Sequence, residues 1–167
     1  LTEATFRLLD FQTIQYDQLD EEPERQGNAS HYSAPANVFR TSDGHFISLS
    51  GSTDAVFKRN SRAIERPELG EMSQFASNKA RSQNQHEIEV IFKEWFESHT
   101  QAEALEAFER EGGSLAPILS IGQIFEDPQF AARETIIPVP DDDFGEVRMQ
   151  NVVPKFTNNP GVVRHSA

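Results

Sequence analysis

The chain has 167 residues, 27 of them acidic against 15 basic, for a formal net charge of −12. That length allows one ordinary domain with a real core. The acidic balance argues against a nucleic-acid binder, which needs a basic stripe, and against docking on an anionic membrane surface. Cysteine is absent, so disulfides, zinc–thiolate sites and thiol nucleophiles are excluded, a pattern that fits a reducing, cytoplasmic location. No stretch approaches the roughly 18 apolar residues of a membrane helix. The start, LTEATFRLLDF, carries acids and no basic leader. The chain opens without Met, inside a segment that reads as helix, and is therefore expected to be a piece of a longer protein.

Residues 1–19 read as one helix: Ala4, Leu8 and Phe11 fall at helical spacing, and Leu1, Leu9, Ile14 and Tyr16 widen the apolar face. Residues 17–25 (DQLDEEPER) form a charged connector that Pro23 keeps from continuing the helix. The segment 27–35, GNASHYSAP, follows. Gly, Ala and Ser add little bulk, so such a loop can bring its backbone close to a ligand. Val38-Phe39 and Phe46-Ile47-Ser48-Leu49 are candidate strands joined at Thr41-Ser42-Asp43-Gly44, where Asp-Gly marks a reversal.

Ser52-Thr53-Asp54 supplies N-cap residues for a helix over 54–64 that would bury Val56, Phe57, Ala63 and Ile64 before Arg66-Pro67 ends it. Short helix and loop are expected over 67–80. The clearest helix is 84–99, with Ile88, Ile91, Phe92, Trp95 and Phe96 in one stripe. Thr100 with Glu103 is a capping-box pattern, and Gly112-Gly113 stops the helix it starts. Ala116-Pro117-Ile118-Leu119 reads as a short buried strand. Ser120 with Gln123 is a second cap, and Asp127-Pro128 opens a short helix ending near Arg133. Residues 136–139 and 147–153 read as paired strands around the acidic turn Asp141-Asp142-Asp143-Phe144-Gly145.

Known chemical motifs are few. His31, His45, His86, His99 and His165 include no pair at i, i+4, so no helical metal pair exists. GxGxxG, Walker, GxSxG and HExxH patterns are missing. The Asp141–Asp143 run reads as a solvated hairpin tip rather than a cation site. Trp95 reads as core, and Arg81, Arg133 and Arg148 as partners in surface ion pairs. The segment 27–35 and Glu3 remain as site candidates, each with an ordinary structural reading beside it: a plain loop, and a carboxylate favoured by the helix dipole.

The order of several segments is informative where no single one is. A helix beginning L-x-E-A is followed by GNxxHYxAP and VFRTSDGHFISLSGSTDAVF. Arg81-Ser82-Gln83-Asn84, Trp95 with Thr100, and Ala116-Pro117-Ile118-Leu119 come next. Asp127-Pro128-Gln129-Phe130-Ala131-Ala132-Arg133-Glu134 and Pro154-Lys155-Phe156-Thr157-Asn158-Asn159-Pro160-Gly161 complete the series. In that order, over essentially the whole chain, the sequence resembles the family III CoA-transferases, also called the CaiB/BaiF or carnitine dehydratase family.

The resemblance implies an α+β fold, the small domain of such an enzyme, with a few short strands and helices packed on them. Residues 1–25 would be a linking helix and connector, and 26–167 the small domain, together one structural unit. The family's Rossmann-like large domain, which carries most CoA contacts and interlocks two chains as a homodimer, would lie outside this chain, leaving the fragment inactive alone. The implied reaction moves CoA from an acyl-CoA to a free carboxylic acid, with coenzyme A as carrier and with no metal, nucleic acid or membrane partner. An enzyme carboxylate attacks the thioester, giving a mixed anhydride and CoA thiolate. The thiolate re-attacks to give an enzyme–CoA thioester, and the acceptor acid repeats the exchange.

Glu3 falls where the family's catalytic Asp stands. Some members carry Glu at this column with an Asp a few positions earlier, which would place the nucleophile before Leu1. Ser30, His31, Tyr32, Ser33 and Ala34 fall where oxalate-using members carry a glycine run over the active site, and with Gly27, Asn28 and Pro35 they form the segment that the resemblance puts at the acyl end of CoA. HYS in place of glycines argues against formyl or oxalyl transfer, and His31 and Tyr32 would instead orient a substrate carboxylate. Acyl-CoA racemases of the same superfamily place a glutamate where Thr53 stands here, which counts against that alternative. Residues 154–161 look closest to carnitine-type members. A non-catalytic binding or assembly domain is the remaining alternative.

Overall fold

The computed structural model describes residues 1–9, 11–25, 27–30 and 32–166. The chain forms two compact units, Leu1–Pro117 and Ile118–Ala167. The first holds α1 (Thr2–Phe6), α2 (Gln12–Leu19), β1 (Ala36–Arg40), β2 (Phe46–Ser50), α3 (Asp54–Ala63), α4 (Asn78–Gln83), α5 (Gln85–Ser98), α6 (Gln101–Glu111) and most of β3 (Leu115–Ile118). The second holds α7 (Ile121–Glu126), α8 (Pro128–Ala132), β4 (Ile136–Asp141) and β5 (Gly145–Gln150). The mixed α+β class expected from the sequence is what the chain adopts.

β1 and β2 pair antiparallel, with Phe39 opposite Ile47 and Asn37 opposite Leu49. In β2 side chains alternate faces, so Ile47 and Leu49 point inward while Ser48 and Ser50 stay exposed. The reversal runs through Gly44, whose φ of +83° suits a residue without a Cβ. At the tip, the Asp43 carboxylate accepts from the Thr41 hydroxyl and from the backbone N–H of Gln101 at 3.2 Å, tying the hairpin to the start of α6.

The core lies between this hairpin and the helices. Phe39, Ile47 and Leu49 meet Phe57 of α3 and the α5 stripe of Ile88, Phe92 and Phe96, all buried. The expected spacing of that stripe is realised, with Ile91 and Trp95 packed against the core at its margin. Trp95 is thus half-buried at the core's edge rather than inside it, its ring stacked on His99 at 3.9 Å between centroids. Phe57, Ala63 and Ile64 are buried as expected, whereas Val56 is only partly covered. The capping box of α6 is formed on both sides: Thr100 Oγ1 accepts from the Glu103 N–H, and the Glu103 carboxylate accepts from the Thr100 N–H at 2.8 Å. Gly112 closes α6 in the left-handed conformation. Asn60, fully buried, donates to Ser50 O at 3.0 Å and accepts from the Ser114 N–H at 2.8 Å, which joins the end of β2 to the approach of β3.

Two larger expectations also fail in this unit. The first nineteen residues are not one helix. α1 gives way to a 3-10 turn at Arg7–Leu9, and α2 restarts at Gln12. Phe6, Leu8, Ile14, Tyr16 and Leu19 are all exposed. At 100° per residue Ile14 lies far round the helix from Tyr16 and Leu19, so α2 has no single apolar stripe. Without tertiary packing, helices this short are marginal. The strand at residues 116–119 is also exposed rather than buried. It forms the edge of the sheet in the order β1-β2-β3, a position that suits Pro117, which has no N–H to donate.

In the second unit β4 and β5 form an antiparallel hairpin, Ile136 opposite Gln150 and Val139 opposite Val147. Asp141 Oδ1 accepts from the N–H groups of Asp143 and Phe144 at 3.0 and 2.9 Å, so the acidic run builds the hairpin tip as expected. Ser120 and Asp127 cap α7 and α8 as their spacing predicts. Among the described residues Arg148 enters no ion pair. Its guanidinium lies over the Phe125 ring, 4.4 Å from the centroid.

Candidate functional site

The segment 27–35 crosses from the connector to β1 and divides into two parts. Gly27, Asn28 and Tyr32 are exposed and Ser30 is half-buried, whereas Ser33, Ala34 and Pro35 are buried. The reading of His31 falls outside the described residues. The Ser30 N–H donates to Ala36 O at 3.1 Å, and the Gly51 N–H donates to Pro35 O at 2.7 Å, pinning the segment to the β1–β2 pair. Gly51 is required there, because a Cβ at this position would lie 2.8 Å from Pro35 Cδ. The Ser33 hydroxyl is buried and has no hydrogen-bond partner among the described residues. The Tyr32 ring, 65% exposed, meets Phe11 edge-on at 5.1 Å between centroids.

What anchors the buried half is a residue that sequence reasoning placed on the surface. Arg81 is completely buried. Its Nε donates to Ala34 O at 2.7 Å, Nη1 to Phe75 O at 3.0 Å and to Asp54 Oδ1 at 2.9 Å, and Nη2 to Gly51 O at 3.2 Å. The guanidinium also lies over the Phe57 ring, 4.4 Å from its centroid. A guanidinium offers five N–H donors in a rigid plane, so one side chain can hold three separate backbone segments together. A buried charge is tolerated only when paired and hydrogen-bonded, and here one carboxylate, three carbonyls and an aromatic face do that.

Two further side chains from the same helical region reach the segment. Asn78 Nδ2 donates to Tyr32 O at 2.8 Å, and its Oδ1 accepts from the Ala34 N–H at 3.4 Å. Gln85 Nε2 donates to Ser30 O at 3.2 Å and to Glu89 Oε1 at 2.9 Å, while Asn37 donates to the other Glu89 oxygen at 2.9 Å. Signals for these residues were present in the sequence. Ser77 N-caps α4, which sets Asn78 and Arg81 three apart on one face, and Gln85 and Glu89 stand at i, i+4. Nothing in that spacing shows that the partners are backbone carbonyls some 45 to 55 positions away.

Glu3 sits in the exposed first turn of α1, and no hydrogen bond or ion pair joins its carboxylate to a described residue. Among the described residues no group of three or more His, Asp and Glu side chains could hold a metal ion, and no helix is long and apolar enough to cross a membrane.

Comparison with known proteins shows the family of the chain. The family model of CoA-transferase family III matches residues 1–167. The chain belongs to that family. It is 34% identical over 140 residues to succinyl-CoA–D-citramalate CoA-transferase of Chloroflexus aurantiacus, covering 84% of this chain and 35% of that protein. It is also 34% identical over 168 residues to the beta subunit of succinyl-CoA–L-malate CoA-transferase from the same organism, covering 98% of this chain and 41% of that subunit. Among solved structures it is similar to a CaiB/BaiF family protein from Brucella suis, with a TM-score of 0.72 and 27% identity over 92% of this chain and 39% of that one. The M. tuberculosis protein Rv3272 shares the fold with a TM-score of 0.75 at 19% identity, over 98% of this chain and 42% of that one. The chain thus spans about two fifths of the length of the proteins it matches.

Proposed function

We propose that this family III chain is part of an acyl-CoA:carboxylate CoA-transferase, and that the segment 27–35 is its contribution to the active site. The observation that carries the reading is the 34% identity, across 98% of the chain, to a subunit named for moving CoA between succinyl-CoA and a small hydroxy acid. Coenzyme A is the carrier, entering as a thioester, and the acceptor is a small carboxylic acid. Residues 26–167 act as the small domain and 1–25 as the segment linking it to the remainder of a longer, cytoplasmic homodimer that uses no metal.

Within this scheme the exposed Tyr32 hydroxyl offers a hydrogen bond to a substrate carboxylate, with His31 beside it in the sequence. Gly27, Asn28 and Ser30 leave backbone accessible to the acyl end of CoA. Ser33, Ala34 and Pro35 shape the wall from beneath. Glu3 is a candidate nucleophile, since an exposed carboxylate is free to attack a thioester carbonyl and release CoA thiolate. Cover of the anhydride by the segment excludes water that would hydrolyse it.

The test is a transfer assay on the full-length protein with succinyl-CoA and a panel of dicarboxylic and hydroxy acids, following new acyl-CoA by chromatography. The reading expects transfer to at least one acid. In the Glu3→Gln protein, transfer falls by about two to four orders of magnitude if Glu3 is the nucleophile. Hydrolysis of succinyl-CoA with no acyl-CoA product from any acid would contradict the reading.

A further inference from the structure

Three alternate carbonyls of one segment are captured by side chains from one helical region: Ser30 O by Gln85, Tyr32 O by Asn78 and Ala34 O by Arg81. We propose that Arg81, Asn78 and Gln85 act as a clamp of positioning residues that holds the backbone at Ser30 and over residues 32–35 in one conformation and thereby presents the Tyr32 ring to the substrate acid. This rests on the reading of the segment as part of a CoA-transferase site.

Three features of the geometry support it. The captured atoms are main-chain acceptors, so the clamp sets backbone conformation whatever side chains the segment carries. Asn78 contacts both sides of position 33, accepting from the Ala34 N–H while donating to Tyr32 O. That two-point contact fixes peptide orientation as well as distance. Arg81 is fully buried and also bound to Gly51 O and Phe75 O, so the deep end of the clamp is continuous with the core. Tyr32, by contrast, is 65% exposed, and no hydrogen bond joins its hydroxyl to a described residue. The backbone at Tyr32 O and Ala34 is held, while the ring, which meets Phe11 edge-on, keeps most of its surface open to a ligand. A glycine-rich flap needs to move in order to close. A segment held at alternate carbonyls has its shape before substrate arrives, which lowers the ordering cost of binding.

The test uses the full-length protein and two variants at partly exposed positions, Asn78→Ala and Gln85→Ala, with Lys79→Ala on the exposed face of α4 as control. Hydrogen–deuterium exchange followed by peptide mass spectrometry reads the peptide covering 27–36. Loss of one clamp bond is expected to speed its exchange by about five- to tenfold, with peptides from the β1–β2 hairpin and α5 unchanged and the control at the wild-type rate. Steady-state kinetics on the same proteins are expected to show KM for the acid raised about fivefold or more and kcat changed less than about twofold, because a positioning defect weakens binding before it weakens chemistry. Tyr32→Phe is expected to raise the same KM while leaving exchange at the wild-type rate.

Unchanged exchange of 27–36 in both variants would overturn the clamp. So would a rise spread evenly over all peptides, which means general destabilisation. Faster local exchange with an unmoved KM would overturn the positioning role. If the wild-type protein transfers CoA to no acid, the functional reading fails, and the exchange arm still decides whether the clamp exists.

Discussion

Replacing Arg81 by methionine keeps a long flexible side chain in the core and removes every donor. Four hydrogen bonds are lost, to Ala34 O, Phe75 O, Gly51 O and Asp54 Oδ1. The Asp54 side chain is 54% exposed, so water can replace the guanidinium there and that bond counts for little. The three carbonyls cannot all be rehydrated, since their donor is 0% exposed. Each buried acceptor left unpaired costs about 1–3 kcal/mol. Relaxation recovers part of this, and the apolar stem of Met offsets a little more. We expect a net loss of about 3–5 kcal/mol, the lower part of what three unpaired buried acceptors would cost together. The assay is equilibrium urea unfolding followed by the fluorescence of Trp95, the one tryptophan in the chain, which packs against Phe96 and Phe108 and so reports the first unit. With a urea m-value of roughly 2 kcal/mol/M, the midpoint should fall by about 2 M. Arg81→Lys should recover little, because an ammonium cannot reproduce the planar fork. A midpoint within about 0.3 M of wild type for Arg81→Met would refute the reasoning, since under 1 kcal/mol would then rest on those bonds.

Further predictions concern the elements around the segment. Thr100→Ala removes the α6 N-cap acceptor and should cost about 1 kcal/mol in the same unfolding assay. The pH dependence follows from two carboxylates at that helix start. The Thr41 hydroxyl, with help from the Gln101 N–H, holds the Asp43 carboxyl below its usual 3.8, and the Thr100 N–H and hydroxyl hold the Glu103 carboxyl below 4.5. Folded-state values below the unfolded ones mean stability that is full above about pH 5 and is lost as pH falls through the folded values. Urea midpoints measured from pH 7 to pH 3 should therefore plateau and then drop, and Glu103→Gln should make the drop shallower. Gly51→Ala should displace Pro35, because its Cβ would lie 3.1 Å from Pro35 O and 2.8 Å from the ring; faster hydrogen exchange at 30–36 checks it.

Elements whose apolar residues share a face were legible in the sequence. The α5 stripe, the Thr100–Glu103 box, the Asp43-Gly44 reversal and the Asp141 tip all rest on local spacing, and each forms where that spacing puts it. The broken lead-in helix was not legible, because Ala4 and Leu8 carry helical spacing yet both lie exposed in the folded chain. Burial of the third strand was misread for a related reason: an apolar run such as Ala116-Pro117-Ile118 does not reveal that it will lie at a sheet edge. Arg81 was the largest miss. A charged residue is rarely fully buried without a partner, and its partners are backbone carbonyls whose positions only the folded chain defines. The candidate segment itself was visible as a run of small residues, but its division into a buried half and an exposed half depends on that arginine.

The central claim is that CoA moves through a carboxylate-bound intermediate in the protein to which this chain contributes. The most direct measurement is intact and peptide mass spectrometry of the full-length protein after brief incubation with succinyl-CoA and no acceptor acid. The account predicts a covalent CoA or acyl adduct on a single Asp or Glu, discharged when an acceptor acid is added. Transfer of CoA that proceeds at full rate with no adduct on any carboxylate, under quenching that preserves thioesters, would contradict it.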